Sequence, residues 1–261
     1  MSASLSMPNL VGKVAFVTGG AGGLGSAICR ALAQQGATII VGYNSAEAGA
    51  KMLVDALNSG VSKHKNGAHT ALLAPVTNSA KLAEVAATIE AQFGRLDILV
   101  NCAGTTKFVA HPDLNALDDD LIDAIFATNV RGAIACVRAM QPLLKRSGDG
   151  LVVNISSIAA QTAMGSNIAY CASKAALDNL TKSLARALAP EIRVISVSPG
   201  LVDTEFVKSL DATWRDTQAA KSPLGRLATP EEIAQAVVAT ATHFKFSTGA
   251  IFAVDGGRPL L

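Results

Sequence analysis

Tyr170 and Lys174 stand four positions apart, and together their side chains could move a proton. On a helix, such a pair shares one face, with Cβ atoms roughly 5–6 Å apart. A phenol whose reference pKa is about 10 is a poor base at neutral pH. A unit positive charge at about 5 Å, in an effective dielectric of about 20, favours the phenolate by roughly 3 kcal/mol. That lowers the tyrosine by about two pH units, into range for general acid–base work, with the proton shared by a coupled pair. A tyrosine and a lysine at this spacing also occur as a packed ring beside a solvated charge, so the reading depends on what surrounds them.

Several elements must cooperate to position the pair. An apolar strand over residues 151–155 runs into Ser156-Ser157, and a helix over 167–189 opens near Asn167, carries both residues and is stopped by Pro190. The same alternation runs through the chain. Strands are predicted over 13–18, 38–41, 70–73, 96–100, 193–197 and 250–254, and helices over 24–35, 79–93, 118–145 and 230–243. A loop with helical patches is predicted over 203–221. Alternating strands and helices imply a parallel sheet covered on both faces. No low-complexity linker or composition break divides the chain, so residues 1–261 are expected to form a single domain, with a substrate-covering segment at about 202–224.

The bulk composition narrows the function classes. Half of the 261 residues are hydrophobic and 16% are charged, enough apolar material for the core of one large α/β domain. A net charge of +2 without a basic block gives no electrostatic footprint for nucleic acid. The four cysteines, Cys29, Cys102, Cys136 and Cys171, have neither C-x-x-C spacing nor a nearby histidine, which argues against a metal site. They read as reduced, mostly buried thiols, so a cytoplasmic protein is expected. The start of the chain, residues 1–10, lacks the pattern of a secretory signal, and no run approaches the roughly 20 apolar residues of a membrane span.

Between the first strand and first helix, Thr18-Gly19-Gly20-Ala21-Gly22-Gly23-Leu24-Gly25 places five glycines in eight positions. Glycines there let the backbone approach a ligand closely, while the free N–H groups opening the helix face an anion such as a pyrophosphate. Two registers fit: Gly20, Gly22 and Gly25, or Gly19, Gly23 and Gly25. About twenty residues on, where a carboxylate would hold the ribose 2′-hydroxyl of NAD, the chain has Tyr43-Asn44-Ser45. Without an acid to repel a 2′-phosphate, NADP is expected, with NAD the alternative because no Arg or Lys occupies this turn. Asn101-Cys102-Ala103-Gly104 follows the fourth strand, at the sheet edge where such folds bind ligands. Asn129 falls within a strongly helical run, where an asparagine is unfavourable, which suggests a helix irregularity.

Taken together, Thr18-Gly19, Gly23-Leu24-Gly25, Asn101, Ala103-Gly104, Asn129, Ser157, Tyr170, Lys174, Ser198-Pro199-Gly200 and Asp255-Gly256-Gly257 resemble the short-chain dehydrogenase/reductase family, over about residues 11–258. The resemblance implies a doubly wound, Rossmann-like sheet of about seven strands. It implies a nicotinamide-dependent oxidoreductase acting on a carbonyl or alcohol, a small-molecule partner without nucleic acid or membrane. Tyr170 would be the proton donor or acceptor, Ser157 rather than Ser156 would polarise the reacting oxygen, and Lys174 would hold the ribose and lower the tyrosine pKa. Asn129 would fix a water that relays protons to Lys174. Pro199, Gly200, Val202 and Thr204 would clamp the nicotinamide end, and Val76 would offer a backbone contact to the adenine. A homotetramer built on the helices 118–145 and 167–189 is also implied.

Two departures from the family pattern fall at the adenosine end: Pro75-Val76 stands where many relatives have Asp-Val, and Gly22 stands where phosphate-binding relatives often have Arg. The covering segments, 105–117 and 202–224, mix Phe108, Val109, Phe206, Val207, Leu210 and Trp214 with polar residues, and Met164 adds a further apolar side chain. A moderately hydrophobic ketone or a 3-oxoacyl group is the expected substrate, as in 3-oxoacyl-carrier-protein reductases, with polyols the alternative. A non-catalytic cofactor-binding regulator is the remaining reading of the same pattern.

Overall fold

A computed structural model describes residues 9–59, 67–208 and 211–260 of the chain. Most of the leader reading, on residues 1–10, falls outside the described residues. Seven parallel strands form one sheet in the order β3-β2-β1-β4-β5-β6-β7: β1 (Val14–Thr18), β2 (Thr38–Tyr43), β3 (Thr70–Leu73), β4 (Ile98–Asn101), β5 (Gly150–Ile155), β6 (Ile192–Pro199) and β7 (Ile251–Val254). β1, β4 and β5 are buried at every position because helices cover both faces, which is why these strands read as continuous apolar runs rather than alternating ones.

One face carries α1 (Gly23–Gln34), α2 (Glu47–Ser59) and α10 (Pro230–Thr242), whose Ile28, Leu32, Leu53, Leu57, Ile233 and Val237 pack with Val17, Val41 and Val153 of the sheet. The opposite face carries α3 (Ser79–Phe93), α5 (Gly132–Arg146) and α7 (Ile168–Leu188), where Leu82, Ile89, Met140, Leu144 and Leu188 pack with Phe16, Leu99 and Val152. The short helices α4 (Asp119–Phe126), α6 (Ala159–Thr162), α8 (Glu205–Lys208) and α9 (Ala212–Ala220) lie in the connections. The patches expected within 203–221 are α8 and α9.

Two differences from the sequence reading have physical causes. Helix α2 is absent from it, because only Ala50, Leu53 and Leu57 are buried and Gly49 interrupts the stripe. The run 118–145, read as one helix, is broken: a π-helical turn, Ala127–Arg131, joins α4 to α5, with the Gly132 N–H bonding five residues back to Ala127 O. Strand order reverses between β1 and β4, opening a crevice at their carboxyl ends. Among the described residues no helix is long and apolar enough to cross a membrane, and no cluster could hold a metal ion.

Candidate active site

The glycine turn lies at the carboxyl end of β1, against the loop that follows β4. Gly19 has φ +63°, and a Cβ there would lie 3.0 Å from Ala103 Cα, so the turn and the Asn101–Gly104 loop press backbone to backbone. A Cβ on Gly25 would lie 2.2 Å from Gly19 O, which no side chain permits. Gly23 is different: its Cβ position is open except for Thr204, 3.6 Å away. Gly19 and Gly25 are therefore fixed by the fold, whereas Gly23 and Leu24 open α1 toward the crevice. Gly20, of the other register, is as constrained as Gly19, since a Cβ there would lie 2.9 Å from Val17 O. Thr18 completes the junction, its Oγ1 donating to Val100 O (3.3 Å) and accepting from Cys102 N and Ala103 N (both 3.1 Å).

Pro199 ends β6, and the chain turns at Gly200, whose N–H donates to Val254 O at 3.0 Å. Val202 then forms a bridge with Ala228, and Thr204 reaches Gly23. The segment 199–204 thus lies across the glycine turn. Gly104 links this half of the crevice to the other: a Cβ there would lie 3.4 Å from Asn129 Oδ1 and 3.8 Å from Lys174 Nζ.

The π-turn explains Asn129. Its side chain is buried, accepting from Thr105 N (2.8 Å) and donating to Thr105 O (3.1 Å) and Ser173 Oγ (3.1 Å). The amide thereby fastens the loop after β4 to α7. Ser173 Oγ in turn donates to Tyr170 O at 2.8 Å. Asn167, the N-cap of α7, accepts from Tyr170 N at 2.7 Å and donates to Lys107 O at the same distance, setting the start of the helix against the 104–107 loop. The N-cap role is signalled by an asparagine ahead of a helical run; its second bond is not. The two serines separate: Ser156 Oγ is buried and donates to Lys174 O (3.4 Å), whereas Ser157 Oγ accepts from Ala159 N (3.2 Å) and lies close enough to Tyr170 to act on its phenol.

Burial governs the electrostatics. Lys174, only 6% exposed, donates to Ile155 O at 2.8 Å and lies 5.6 Å from the Tyr170 ring centre. Desolvation pushes its pKa down from 10.5 to about 8, against weaker upward pulls from Cys102 and Asp178. The Tyr170 phenol is raised above its ordinary value, chiefly by burial, with Ser157 acting in the opposite sense. This corrects the sequence expectation, which allowed for the ammonium but not for the desolvation of the phenol.

Beneath the Asn101 loop lies a cavity of about 10 Å³, room for one water, lined by Thr18, Val76, Asn101, Ala103 and Asn129 among others. Asn101 Nδ2 donates to Asn154 Oδ1, and Asn154 Nδ2 to Thr181 Oγ1, while Asn101 Oδ1 is buried without a protein partner. Val76 packs against Gly132, where a Cβ would come within 2.8 Å of its Cγ2. Asn154 and Thr181 escape a reading of the sequence because neither stands in a recognisable motif.

A family model described as Enoyl-(Acyl carrier protein) reductase matches residues 19–258. The cis-4-hydroxycyclohexanecarboxylate dehydrogenase of Sinomonas cyclohexanicum is 38% identical over 94% of this chain and 96% of its own. The 3-oxoacyl-(acyl-carrier-protein) reductase FabG of Thermotoga maritima is 32% identical over 95% of this chain and 98% of its own. A Burkholderia xenovorans crystal structure assigned to the short-chain dehydrogenases/reductases superposes with a TM-score of 0.87 at 32% identity, covering 95% of this chain and 98% of that one. The chain belongs to the short-chain dehydrogenase/reductase family. As a member it is an oxidoreductase that uses a nicotinamide cofactor, NAD or NADP.

In this short-chain dehydrogenase/reductase, two loops close the outer wall of the crevice. Residues 104–111 and 163–167 are joined by Val109 N to Ser166 O (2.8 Å), by a Thr106 Oγ1–Ser166 Oγ hydrogen bond and by His111 Nε2 to Gly165 O (3.3 Å). Helix α9 is tied down by Arg215 to Asp203 (2.8 Å) and by Arg258 to Gln218 O (3.0 Å). Phe108, Met164 and Trp214 are exposed, as a hydrophobic mouth would require, but Val109 and Val207 are buried and serve the packing of their loops. Leu210 and the Phe206 side chain lie outside the described residues. At the carboxyl end of β2, Tyr43 closes the strand, and Asn44 and Ser45 are exposed beyond it. The ion pair of Lys51 with Glu47 (2.6 Å) stands on the first turns of α2, where Glu47 chiefly, and Tyr43 least, raise the Lys51 pKa. With α2 unrecognised, nothing in the sequence pointed to that pair.

Proposed function

We propose that this protein is an NADP(H)-dependent oxidoreductase that interconverts a carbonyl and a secondary alcohol, with Tyr170 as general acid and base. The supporting observation is the meeting of Ser157, Tyr170 and Lys174 beside Gly104, with the glycine turn on the far side of the Asn101–Gly104 loop. The glycine cradle fits a dinucleotide, since the Gly23 position is kept free of side chain where α1 opens. Gly19, Gly23, Leu24 and Gly25 would hold the pyrophosphate; Tyr43, Asn44, Ser45 and Val76 the adenosine; Asn101, Ala103, Gly104, Tyr170, Lys174, Pro199, Gly200, Val202 and Thr204 the nicotinamide half. When bound, the cofactor supplies or accepts a hydride at the substrate carbon. In reduction, the Tyr170 hydroxyl donates its proton to the carbonyl oxygen, and Ser157 donates a hydrogen bond to the same oxygen as charge develops there. Burial keeps the phenol protonated and so suits it to this step. Lys174, held by Ile155 O, lends positive charge to the phenolate left behind. Asn129 shapes the loop that separates the two halves of the site.

The exposed Phe108, Met164 and Trp214 support a moderately hydrophobic carbonyl substrate, and the alicyclic and 3-oxoacyl substrates in the names of the relatives are of that kind. A homotetramer in the cytoplasm accompanies this reading. The preference for NADP rests on the absence of an acid at Tyr43-Asn44-Ser45. Glu47, in the first turn of α2, is the observation that favours the alternative, an NAD(H)-dependent dehydrogenase of hydroxy compounds. A panel of ketones, 3-oxoacyl thioesters and polyols, run with each cofactor, tests the reaction. Calorimetric titration tests the cofactor: NADPH should bind more tightly than NADH, and a tenfold preference for NADH would overturn the assignment. Tight cofactor binding without turnover of any substrate would instead favour a regulator.

A further inference from the structure

One buried carboxylate stands a helical turn beyond Lys174 on α7, and the chemistry above does not use it. Asp178 is 6% exposed, as is Lys174. Residues four apart share a helix face, so Asp178 stands on the same buried side of α7 as Lys174, and the two make no ion pair within 4.0 Å. Both head groups are anchored to adjacent strands. Asp178 Oδ1 accepts from Ser196 Oγ of β6 at 2.9 Å, and Lys174 Nζ donates to Ile155 O of β5 at 2.8 Å. Ser196 pairs in register with Asn154, the residue before Ile155, so the two contacts fall on the same seam between β5 and β6.

A buried ammonium needs an opposing charge, or it gives up its proton. The groups facing Lys174 from each packed element are few. On α7 these are Tyr170 and Asp178; from the loop after β4 comes Cys102, whose thiol is held protonated by burial, its pKa near 11. β5 offers the uncharged Ile155 carbonyl. The α4 acids Asp119, Asp120 and Asp123 are exposed, Arg131 of the π-turn donates to Thr77 O, and Arg193 of β6 sits beside Asp149 at the far end of the sheet. No other acid on the buried face of α7 approaches Lys174.

We propose that Asp178 is a positioning residue that keeps Lys174 charged in its buried seat at neutral pH, with Ser196 fixing the orientation of the carboxylate. The inference rests on the reading of Lys174 as the charge partner of Tyr170. The test is an NMR titration of ¹³Cε-lysine-labelled full-length protein, with the Lys174 signal assigned by its loss in Lys174→Met. In Asp178→Asn, which can still accept from Ser196, the Lys174 midpoint should fall by about half a pH unit or more, and in Ser196→Ala, which retains the charge, by less than about 0.3. The alkaline limb of kcat for carbonyl reduction should move down with the midpoint. An unmoved midpoint in folded Asp178→Asn, or an equal fall in Ser196→Ala, would overturn the proposal. Should Asp178→Asn not fold, Asp178→Leu, which removes the charge together with its hydrogen-bonding needs, is read in the same way. A wild-type protein inert toward every carbonyl but with an Asp178-dependent midpoint would sink the enzymatic reading alone; an active protein with an indifferent midpoint would sink this one alone.

Discussion

The Lys174 ammonium lies 5.6 Å from the centre of the Tyr170 ring and donates its hydrogen bond to Ile155 O, 2.8 Å away. The lysine therefore stands beside the tyrosine in a seat fixed by a strand. Tyr170 is only partly buried, yet desolvation is the largest effect on its phenol, with Ser157 opposing it.

Tyr170→Phe removes the acid while leaving the ring that packs in the crevice. The expected loss in kcat is about 10²–10⁴-fold, the usual range for one general acid, with cofactor affinity changed by less than about threefold. Steady-state kinetics and a fluorescence titration of NADPH check the two halves. Unchanged kcat would remove Tyr170 from its role.

Direction of reaction sets the pH response. Reduction uses the protonated phenol, which burial preserves, so the acid itself should not limit the rate between pH 6 and 8, taken as about the neutral range. Alcohol oxidation needs the phenolate, and its kcat should climb as pH rises through the alkaline range. Parallel profiles in both directions are the measurement; an oxidation rate that falls between neutral and alkaline pH would contradict the assignment.

Lys174 should also cost the fold stability. Its folded pKa, about 8, lies below its ordinary 10.5, so the unfolded chain binds the extra proton between those values. Stability then rises with pH across that window, and the penalty is fully present below about pH 8. Lys174→Met should gain on the order of 2 kcal/mol at pH 7 and lose this pH dependence. Urea denaturation from pH 7 to 10 reads both effects.

Gly23 and Gly25 should respond differently to alanine. At Gly25 the new Cβ would overlap Gly19 O, and the fold should lose about 3 kcal/mol or more. At Gly23 it would rest at ordinary contact distance from Thr204, so stability should stay within about 1 kcal/mol while NADPH affinity falls at least tenfold. Thermal melts and calorimetry separate the two outcomes.

Asn129→Ala strips partners from Thr105 N, Thr105 O and Ser173 Oγ together. A loss of about 2–4 kcal/mol is expected, with Asn129→Asp, which keeps the acceptor, intermediate. Chemical denaturation of the two variants provides the check.

Much of this architecture is legible in the sequence because its signals are local. Continuous apolar runs mark strands buried on two faces, Asn167 marks the start of α7, and the glycine spacing marks the turn after β1. An asparagine at 129 correctly signals a broken helix, since its amide is worth burying only where tertiary partners await it. What was not legible depends on partners distant in the chain. Asn154 and Thr181 become a relay of hydrogen bonds only when β4, β5 and α7 meet. Helix α2 buries too narrow a stripe for periodicity to reveal it. The direction of the Tyr170 shift required knowing how deeply the ring sits, which four-residue spacing cannot report.

The π-turn at Ala127–Arg131 has a counting consequence. A helix that bonds five residues back instead of four absorbs one surplus residue without putting its flanks out of phase. A chain shorter by one residue there could keep Ile125 and Met140 pointed at the core while losing the notch that seats Asn129. The fold could dispense with that residue; the loop after β4, held by both ends of one amide, could not.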